Sequence, residues 1–239
     1  MNLRVLHARI RQWWRREIRP LLILALVLCS LRSSLADWND VPSGSMQPTI
    51  LVGDRIFVNK LAYDLKVPFT TWHLAEWANP KRGDIVVFYS PRDGARLVKR
   101  VVGLPGDTVE LRADRLIVNG IPVDYQPLGH ELARQLPPAE RPASQFAAEQ
   151  LPGREHLVMA MTNLPARRTF APEPVPAGHY FMMGDNRDNS FDSRYFGPVE
   201  RKRILGQATT VVLSLNRDHY WLPRSQRFFH PLDAAKSGS

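Results

Sequence analysis

The sequence predicts a mainly β protein with one apolar helix at its N-terminus. Runs of β-branched and aromatic residues recur after residue 80 and end at turn-forming residues. An uncharged run of twelve residues, 20–31, precedes them, and helical periodicity is weak elsewhere. With 239 residues, the chain is long enough for one hydrophobic core, or for one core with a smaller second one.

The apolar run predicts a membrane anchor. Twelve helical residues span about 18 Å, which is less than the roughly 30 Å of bilayer hydrocarbon. Trp14 and Trp38 suit the two membrane interfaces, and a helix between them would be about 36 Å long. Six arginines precede Pro20, which predicts a cytoplasmic segment 1–17, a transmembrane helix 18–37 and an extracytoplasmic remainder.

A cleaved secretory signal is the alternative. A basic region, a short apolar region and the sequence "SLA" at 34–36 are also typical of such signals. N-terminal sequencing of the mature protein would separate the two interpretations.

The charge distribution argues against nucleic-acid binding. The net charge is +9, but residues 1–32 contain seven arginines and one glutamate, so +6 of it lies beside the apolar run. The remainder is nearly neutral.

The chain has one cysteine, Cys29, which excludes an intramolecular disulfide. His130-Glu131 lacks the second histidine of a zinc-protease helix, because position 134 is arginine. No metal site and no cofactor are predicted.

The predicted strands follow in order. The first two are "DIVVFY" at 84–89 and "RLVKRVVGL" at 96–104, the second closed by a Pro-Gly-Asp turn. In "RLIVNGIPVDY" at 115–125, Asn-Gly between two apolar runs predicts a hairpin. Two more strands are predicted near 179–186 and 208–215. Residues 126–176 are rich in proline, alanine and arginine with few β runs, which indicates an insertion or a loop-rich subdomain.

The stretch "VPSGSMQPTI" at 41–50 is either a flexible linker or the site of a reactive serine. A serine nucleophile needs a base, and no informative His-Asp pair is present. Five of the six lysines have polar or charged neighbours. Lys99 instead shares a strand face with Leu97 and Val101, where burial would lower its pKa. Arg100 on the other face cannot act as a base. The alternative is that Lys99 is an exposed edge-strand residue.

The stretch "MGDNRDNSFDSRYFGPV" at 183–199 is dense in hydrogen-bonding groups. It is either a surface loop that satisfies its own backbone or a polar wall that holds a neutral lysine in place.

Together these segments resemble the bacterial type I signal peptidases. The likeness rests on four stretches in the family's order: "VPSGSMQPTI" (41–50), "VGDRIFVNKLAY" (52–63), "RGDIVVF" with "LVKRVVGLPGD" (82–88 and 97–107), and "GDNRDNSFDSRYFGPV" (184–199). They cover about a quarter of the chain, and their order behind an apolar segment makes the resemblance specific.

The resemblance implies a serine endopeptidase of the inner bacterial membrane that removes signal peptides from exported preproteins after small residues at −1 and −3. It implies Ser45 as nucleophile and Lys99 as general base. The Ser43 hydroxyl and the Ser45 N–H would form the oxyanion hole. Ser190 would hydrogen-bond the lysine, and Asp192 and Arg194 would form a supporting ion pair. The implied substrate-pocket residues are Val41, Pro42, Met46, Ile56, Val87, Leu97 and Val98.

The resemblance also implies an antiparallel β catalytic domain, 38–108 and 177–239, with an inserted smaller β or loop-rich subdomain, 109–176. The partners would be exported preproteins and the lipid bilayer. The chain departs from many relatives at Leu97, where they have tyrosine, and at Asn39, where they often have an aromatic residue. These departures concern the pocket rather than the reaction.

Two other functions fit part of the pattern. One is a specialised processing peptidase of the same superfamily that acts on a single exported protein. The other is a non-catalytic, membrane-tethered β module that binds exported peptides.

Overall fold

The computed structural model describes residues 12–70, 72–217 and 220–232. The first eleven residues of the predicted cytoplasmic segment 1–17 therefore lie outside the described residues, as do 218–219 and 233–239 of the predicted catalytic domain.

The N-terminal part is helical. A π-helical turn, Trp14–Ile18, leads into α1 (Arg19–Ser34), and the apolar side chains of α1 between Leu21 and Leu28 are exposed. In the described part of the chain, no helix is both long enough and apolar enough to cross a membrane. The predicted helix 18–37 is also too long at its end, because the chain enters the first strand at Ala36 and Trp38 lies in that strand.

Eighteen strands form within the described ranges. In chain order they are β1 (Ala36–Asp40), β2 (Asp54–Asn59), β3 (Asp64–Lys66), β4 (His73–Glu76), β5 (Ile85–Tyr89), β6 (Arg96–Gly103), β7 (Thr108–Arg112), β8 (Arg115–Val118), β9 (Ile121–Pro122), β10 (Asp124–Leu128), β11 (Ser144–Leu151), β12 (Arg154–Met161), β13 (Phe170–Pro174), β14 (His179–Met183), β15 (Val199–Glu200), β16 (Ile204–Asn216), β17 (Leu222–Pro223) and β18 (His230–Pro231). A short helix, α2 (Ser193–Phe196), precedes β15. Single 3₁₀ turns lie at Lys60–Ala62, His130–Gln135, Arg141–Ala143, Arg201–Arg203 and Ser225–Arg227.

A nine-stranded sheet forms the main body of the described chain. Its order is β1-β2-β16-β5-β6-β14-β15, with β17 and β18 also paired to β16, and the strand pairs are antiparallel. The prediction of a mainly β, antiparallel fold is therefore confirmed. The chain leaves this sheet after β6 and returns to it at β14.

Two further sheets lie between β6 and β14. One has the order β13-β7-β8-β9, and its β8–β9 hairpin turns at Asn119 and Gly120, both with positive φ. This confirms the hairpin that the Asn-Gly pair predicts. The other sheet has the order β10-β11-β12.

The expectation of few β runs in 126–176 is wrong. β11 and β12 are eight-residue strands paired over their full length. They lack the Val and Ile runs that mark a strand in sequence, because several buried positions are taken by alanine, by Glu149 and by His156. Their Phe146, Met159 and Met161 bury against Leu51 and Leu136 in a separate apolar cluster.

Candidate active site

The stretch 41–50 is a packed turn and not a flexible linker. The Gln47 N–H donates to the Gly44 carbonyl at 3.1 Å, and the Ile50 N–H donates to the Met46 carbonyl at 2.9 Å. The side chains of Val41, Met46 and Ile50 are buried in the same apolar cluster as residues of β2, β5 and β16. Ser45 is thereby fixed between two anchored side chains.

Ser45 and Lys99 meet across 54 residues of sequence. The Lys99 ammonium donates to Ser45 Oγ at 2.5 Å, and the two residues are 2% and 8% exposed, respectively. Lys99 shares its face of β6 with Leu97 and Val101, as predicted, and lies opposite Val86 of β5. The exposed edge-strand alternative is excluded, because β6 is paired on both sides.

Burial lowers the pKa of Lys99 from its ordinary 10.5 to about 8. The carboxylates of Asp192 and Asp185 act against this by favouring the ammonium, and the Arg194 charge adds to it. A pKa near 8 leaves a substantial fraction of this lysine neutral at mildly alkaline pH, and a general base must be neutral to accept a proton.

Lys66 corrects the expectation that five of the six lysines have polar surroundings. It is 6% exposed, and burial lowers its pKa, although Asp64 opposes the shift. Its ammonium contacts the buried carboxylate of Asp64 and the Leu205 carbonyl. An ammonium bonded to a carboxylate is not available as a base, so Lys99 remains the candidate.

Two hydrogen-bond donors of the nucleophile turn are free. Neither the Ser43 hydroxyl, which is exposed, nor the Ser45 N–H has a hydrogen-bond partner among the described residues. They are the two donors that the resemblance implies for an oxyanion hole.

Asp192 organises the polar wall. Its carboxylate accepts from the Arg194 guanidinium through two bonds of 2.9 Å, from the Ser190 hydroxyl at 2.7 Å and from the Gly184 N–H at 3.0 Å. Burial alone would raise the pKa of Asp192, but the hydrogen bonds and charge of Arg194 lower it. The polar groups of this stretch form hydrogen bonds with one another, but most of its residues are buried, so it is not a surface loop.

The expected hydrogen bond between Ser190 and Lys99 is not formed. Over the described ranges, Ser45 is the hydrogen-bond partner of the Lys99 ammonium, and the Ser190 hydroxyl donates its proton to Asp192. The Ser190 proton goes to the fully buried carboxylate of Asp192, which is a stronger acceptor than a neutral amine.

Gly184 brings the wall against the nucleophile. A Cβ at this position would lie 2.3 Å from Ser190 Oγ and 2.4 Å from the Ser45 carbonyl oxygen. Its φ is not in the left-handed region, so the glycine is needed for space and not for a chain reversal. Gly197, with φ of 79°, does mark a reversal.

Sequence reasoning missed a buried ion pair behind the catalytic pair. The Arg100 guanidinium donates to both carboxylate oxygens of Asp185 at 2.8 and 2.6 Å, and to the Gly83 carbonyl. Thr49, four residues after Ser45, donates to the same carboxylate at 2.5 Å. The only sequence signal was an arginine on a β face that otherwise carries valines.

Gln47 was missed as well. The Asn189 N–H donates to Asn186 Oδ1, so Asn186 Nδ2 is the donor to Gln47 Oε1 at 3.4 Å. This orientation leaves Gln47 Nε2 without an acceptor among the described residues, on a side chain that is 2% exposed and packs against Gly44. The Asn186 N–H also donates to the Ser45 carbonyl at 3.1 Å.

Most of the expected pocket residues cluster. Val41, Met46, Ile56 and Val87 are buried in one apolar cluster, and Val98 packs against it. Pro42 is exposed and Leu97 packs on the opposite face of β6, in a different cluster. No group of three or more potential metal ligands occurs among the described residues.

The chain was compared with known proteins. The sequence profile of the family "Signal peptidase, peptidase S26" matches residues 14–213. A protein named signal peptidase I from Pseudomonas fluorescens is 41% identical over 82% of this chain and 70% of its own length. Its namesake from Pseudomonas aeruginosa is 40% identical over the same shares.

A crystal structure of a signal peptidase I from Enterococcus faecalis V583 is 35% identical; the match covers 55% of this chain and 98% of that one, with a TM-score of 0.34. The family match over most of the chain and the identity to the Pseudomonas proteins decide the assignment: the chain belongs to the signal peptidase family, peptidase S26.

Proposed function

We propose that Ser45 is the nucleophile and Lys99 the general base with which this chain cuts preproteins. As a signal peptidase I, the chain is a serine endopeptidase that removes signal peptides from preproteins. The observation that supports the assignment of the two residues is the 2.5 Å contact between Lys99 Nζ and Ser45 Oγ, with both groups buried.

The reaction follows from this contact. Neutral Lys99 takes the proton of Ser45 Oγ as the oxygen attacks the carbonyl carbon of the scissile bond. The resulting ammonium then gives the proton to the leaving amine, which yields an acyl-enzyme. Lys99 next deprotonates a water molecule that attacks the ester, and the proton returns to Ser45.

The remaining residues position or stabilise this pair. The free Ser43 hydroxyl and Ser45 N–H would donate to the oxyanion, and loss of one such donor typically lowers the rate by about 10²–10³. Asp192 and Arg194 hold Ser190 and Gly184 in place. A positioning role for Ser190 through Asp192 is supported better than a direct bond to the lysine.

The substrate would be a preprotein with small residues at −1 and −3. Val41, Met46, Ile56, Val87 and Val98 form a tightly packed apolar cluster next to Ser45, which favours small side chains. The exposed Pro42 would contact the substrate at the rim, and Leu97, which shares a face of β6 with Lys99, would contact it beside the catalytic pair.

The chain would act at the cytoplasmic membrane of a bacterium, anchored by its N-terminal helix. The leucines of α1 are largely exposed, and arginines precede it. The proposed division is 1–17 cytoplasmic, an anchor from residue 18 to the end of α1 at Ser34, a catalytic part that comprises 36–108 and 177–239, and 109–176 inserted. It is supported by the excursion of the chain between β6 and β14.

The test is preprotein cleavage in detergent with a substrate that carries an Ala-x-Ala junction. Wild type should cut it, and Ser45→Ala and Lys99→Ala should lose more than about 10³ in kcat/KM. Full activity in either variant would refute the proposed pair. The non-catalytic module and the single-substrate peptidase are not favoured, because the relatives are named signal peptidase I.

A further inference from the structure

A cavity, called the groove below, lies outside the candidate active site, since neither Ser45 nor Lys99 lines it. It has a volume of about 890 Å³ and lies between the 3₁₀ turns after β10 and the C-terminal segment 224–232. Pro48 and Thr49, just after the nucleophile turn, form part of its wall, together with Arg100. The cavity therefore adjoins the back of the catalytic pair.

The lining of this groove is strongly basic. Six of the described lining residues are arginines, whereas Glu155 is the single carboxylate among them. Arg227 is paired with Asp54, and Arg100 with Asp185, so part of this charge is compensated.

Two arginines of the groove carry uncompensated charge. Arg141 donates to the backbone carbonyls of Leu136 and Arg134, which fixes its guanidinium without neutralising it. The exposed Arg134 side chain forms no ion pair or hydrogen bond within the described ranges. The held guanidinium of Arg141 and the exposed one of Arg134 suit carboxylates of an incoming chain.

The position of the groove favours a peptide over a lipid. α1 joins the main sheet through β1, whose Ala36 pairs with Asn59, and Asn59 pairs with Gln207 of β16. The groove is lined by Asn216, at the other end of β16, which is about 30 Å farther along the strand. The groove thus lies far from the proposed anchor, which favours a segment of a peptide chain over a lipid headgroup as its ligand.

We propose that this groove is an exosite for acidic side chains in the mature part of the preprotein, beyond the cleaved bond. The proposal rests on the proposed function. An extended chain advances about 3.3 Å per residue, so carboxylates between about the fifth and fifteenth residue after the cut are within reach. Complementary charge of this kind mainly raises the association rate and is weakened by salt.

The experiment compares two preproteins with the same signal peptide and the same residues from −3 to +3. One carries four Asp or Glu residues in the following segment, and the other carries Asn or Gln at those positions. The kcat/KM values are measured for wild type, Arg134→Gln and Arg141→Gln. Lys81→Gln serves as the control, because Lys81 is an exposed lysine outside the groove without an ion pair among the described residues.

Wild type should cleave the acidic substrate about two- to fivefold faster, and added salt should remove the difference. Arg134→Gln should lose this preference and cleave the neutral substrate normally, whereas Lys81→Gln should keep it. The absence of a preference in wild type, or an equal loss on both substrates, would overturn the exosite. If wild type cleaved neither substrate, the proposed function itself would fail.

Discussion

Lys99 is buried with a depressed pKa, and this has a cost for folding that depends on pH. At about pH 7 the lysine is protonated in both the folded and the unfolded state. The shift from 10.5 to about 8 then destabilises the fold by at most about 3 kcal/mol. As pH rises from about 8 to 10.5, the folded protein loses the proton first and the penalty disappears.

We therefore expect Lys99→Met to be more stable than wild type by about 1–3 kcal/mol at about pH 7. The difference should vanish near pH 10.5. Urea unfolding of the full chain in detergent at both pH values measures it, with the exposed Lys81→Met as control. A difference that is the same at both pH values would contradict the assigned pKa.

Gln47 offers a second test at single residues. In Gln47→Glu, a carboxylate would lie beside Gly44 and Ser45 in place of the free Nε2. This carboxylate would repel the oxyanion that forms on the substrate during the reaction. Two like charges a few ångströms apart repel by about 3 kcal/mol at an effective dielectric constant of about 20. We expect kcat to fall about a hundredfold and the rising limb of the pH–rate profile to move to higher pH, because the charge raises the pKa of Lys99.

Gln47→Met is the matched neutral variant, since it keeps the length of the side chain. Its pH–rate profile should match that of wild type. A profile that moves equally in both variants would indicate a purely structural effect of Gln47.

At the scale of single elements, the loop between β14 and α2 can pack against Ser45 only because residue 184 is a glycine. An added methyl group meets backbone and a fixed hydroxyl, neither of which can move without displacing Ser45 or Ser190. Gly184→Ala should lower the free energy of unfolding by about 1–3 kcal/mol and reduce cleavage much further, because the catalytic serine moves.

Gly129→Ala is the matched control. Its φ is −67°, and a Cβ there would meet nothing within 4 Å. Thermal unfolding and preprotein cleavage should be unchanged for it. If both alanine variants lost similar amounts of stability and activity, lack of space at Gly184 would not explain the effect of Gly184→Ala.

At the scale of the whole molecule, a buried charge network joins the β10-β11-β12 sheet to the active site. Glu149 of β11, which is fully buried, bonds to Arg187 at 2.6 Å and to the Tyr125 hydroxyl at 2.5 Å. Arg187 follows Asn186, whose N–H binds the Ser45 carbonyl. The β10-β11-β12 sheet therefore supports the nucleophile from a distance.

Glu149→Gln removes the carboxylate that is paired with the buried Arg187, and we expect a loss of about 3–5 kcal/mol in the free energy of unfolding. Urea unfolding measures it. Glu200→Gln removes the acid of an exposed pair with Lys202 and should cost at most about 1 kcal/mol. Similar values for both variants would rule out the supporting role of the network.

The fold was predictable where the sequence carries β-branched runs and turn pairs, as in β5, β6 and the Asn-Gly hairpin. It was not predictable in β11 and β12, where buried partners replace the usual pattern. In the site, Ser45 and Lys99 carry local signals. Asp185 and Asn186 bond to Thr49 and Gln47 across 136 and 139 residues, and such pairings arise only when the chain has folded.

The return of the chain near Val175 has a practical meaning for protein engineering. Backbone hydrogen bonds join Val175 to Gly106 and Asp107. The segment that leaves the main sheet after β6 and the segment that returns to it before β14 therefore lie side by side. A foreign domain whose N- and C-termini lie close together could replace the residues between Asp107 and Val175. Such a chimaera would lose the β-bridge between Met159 and Asn186. The new module would therefore need to provide another contact that holds the loop containing Asn186.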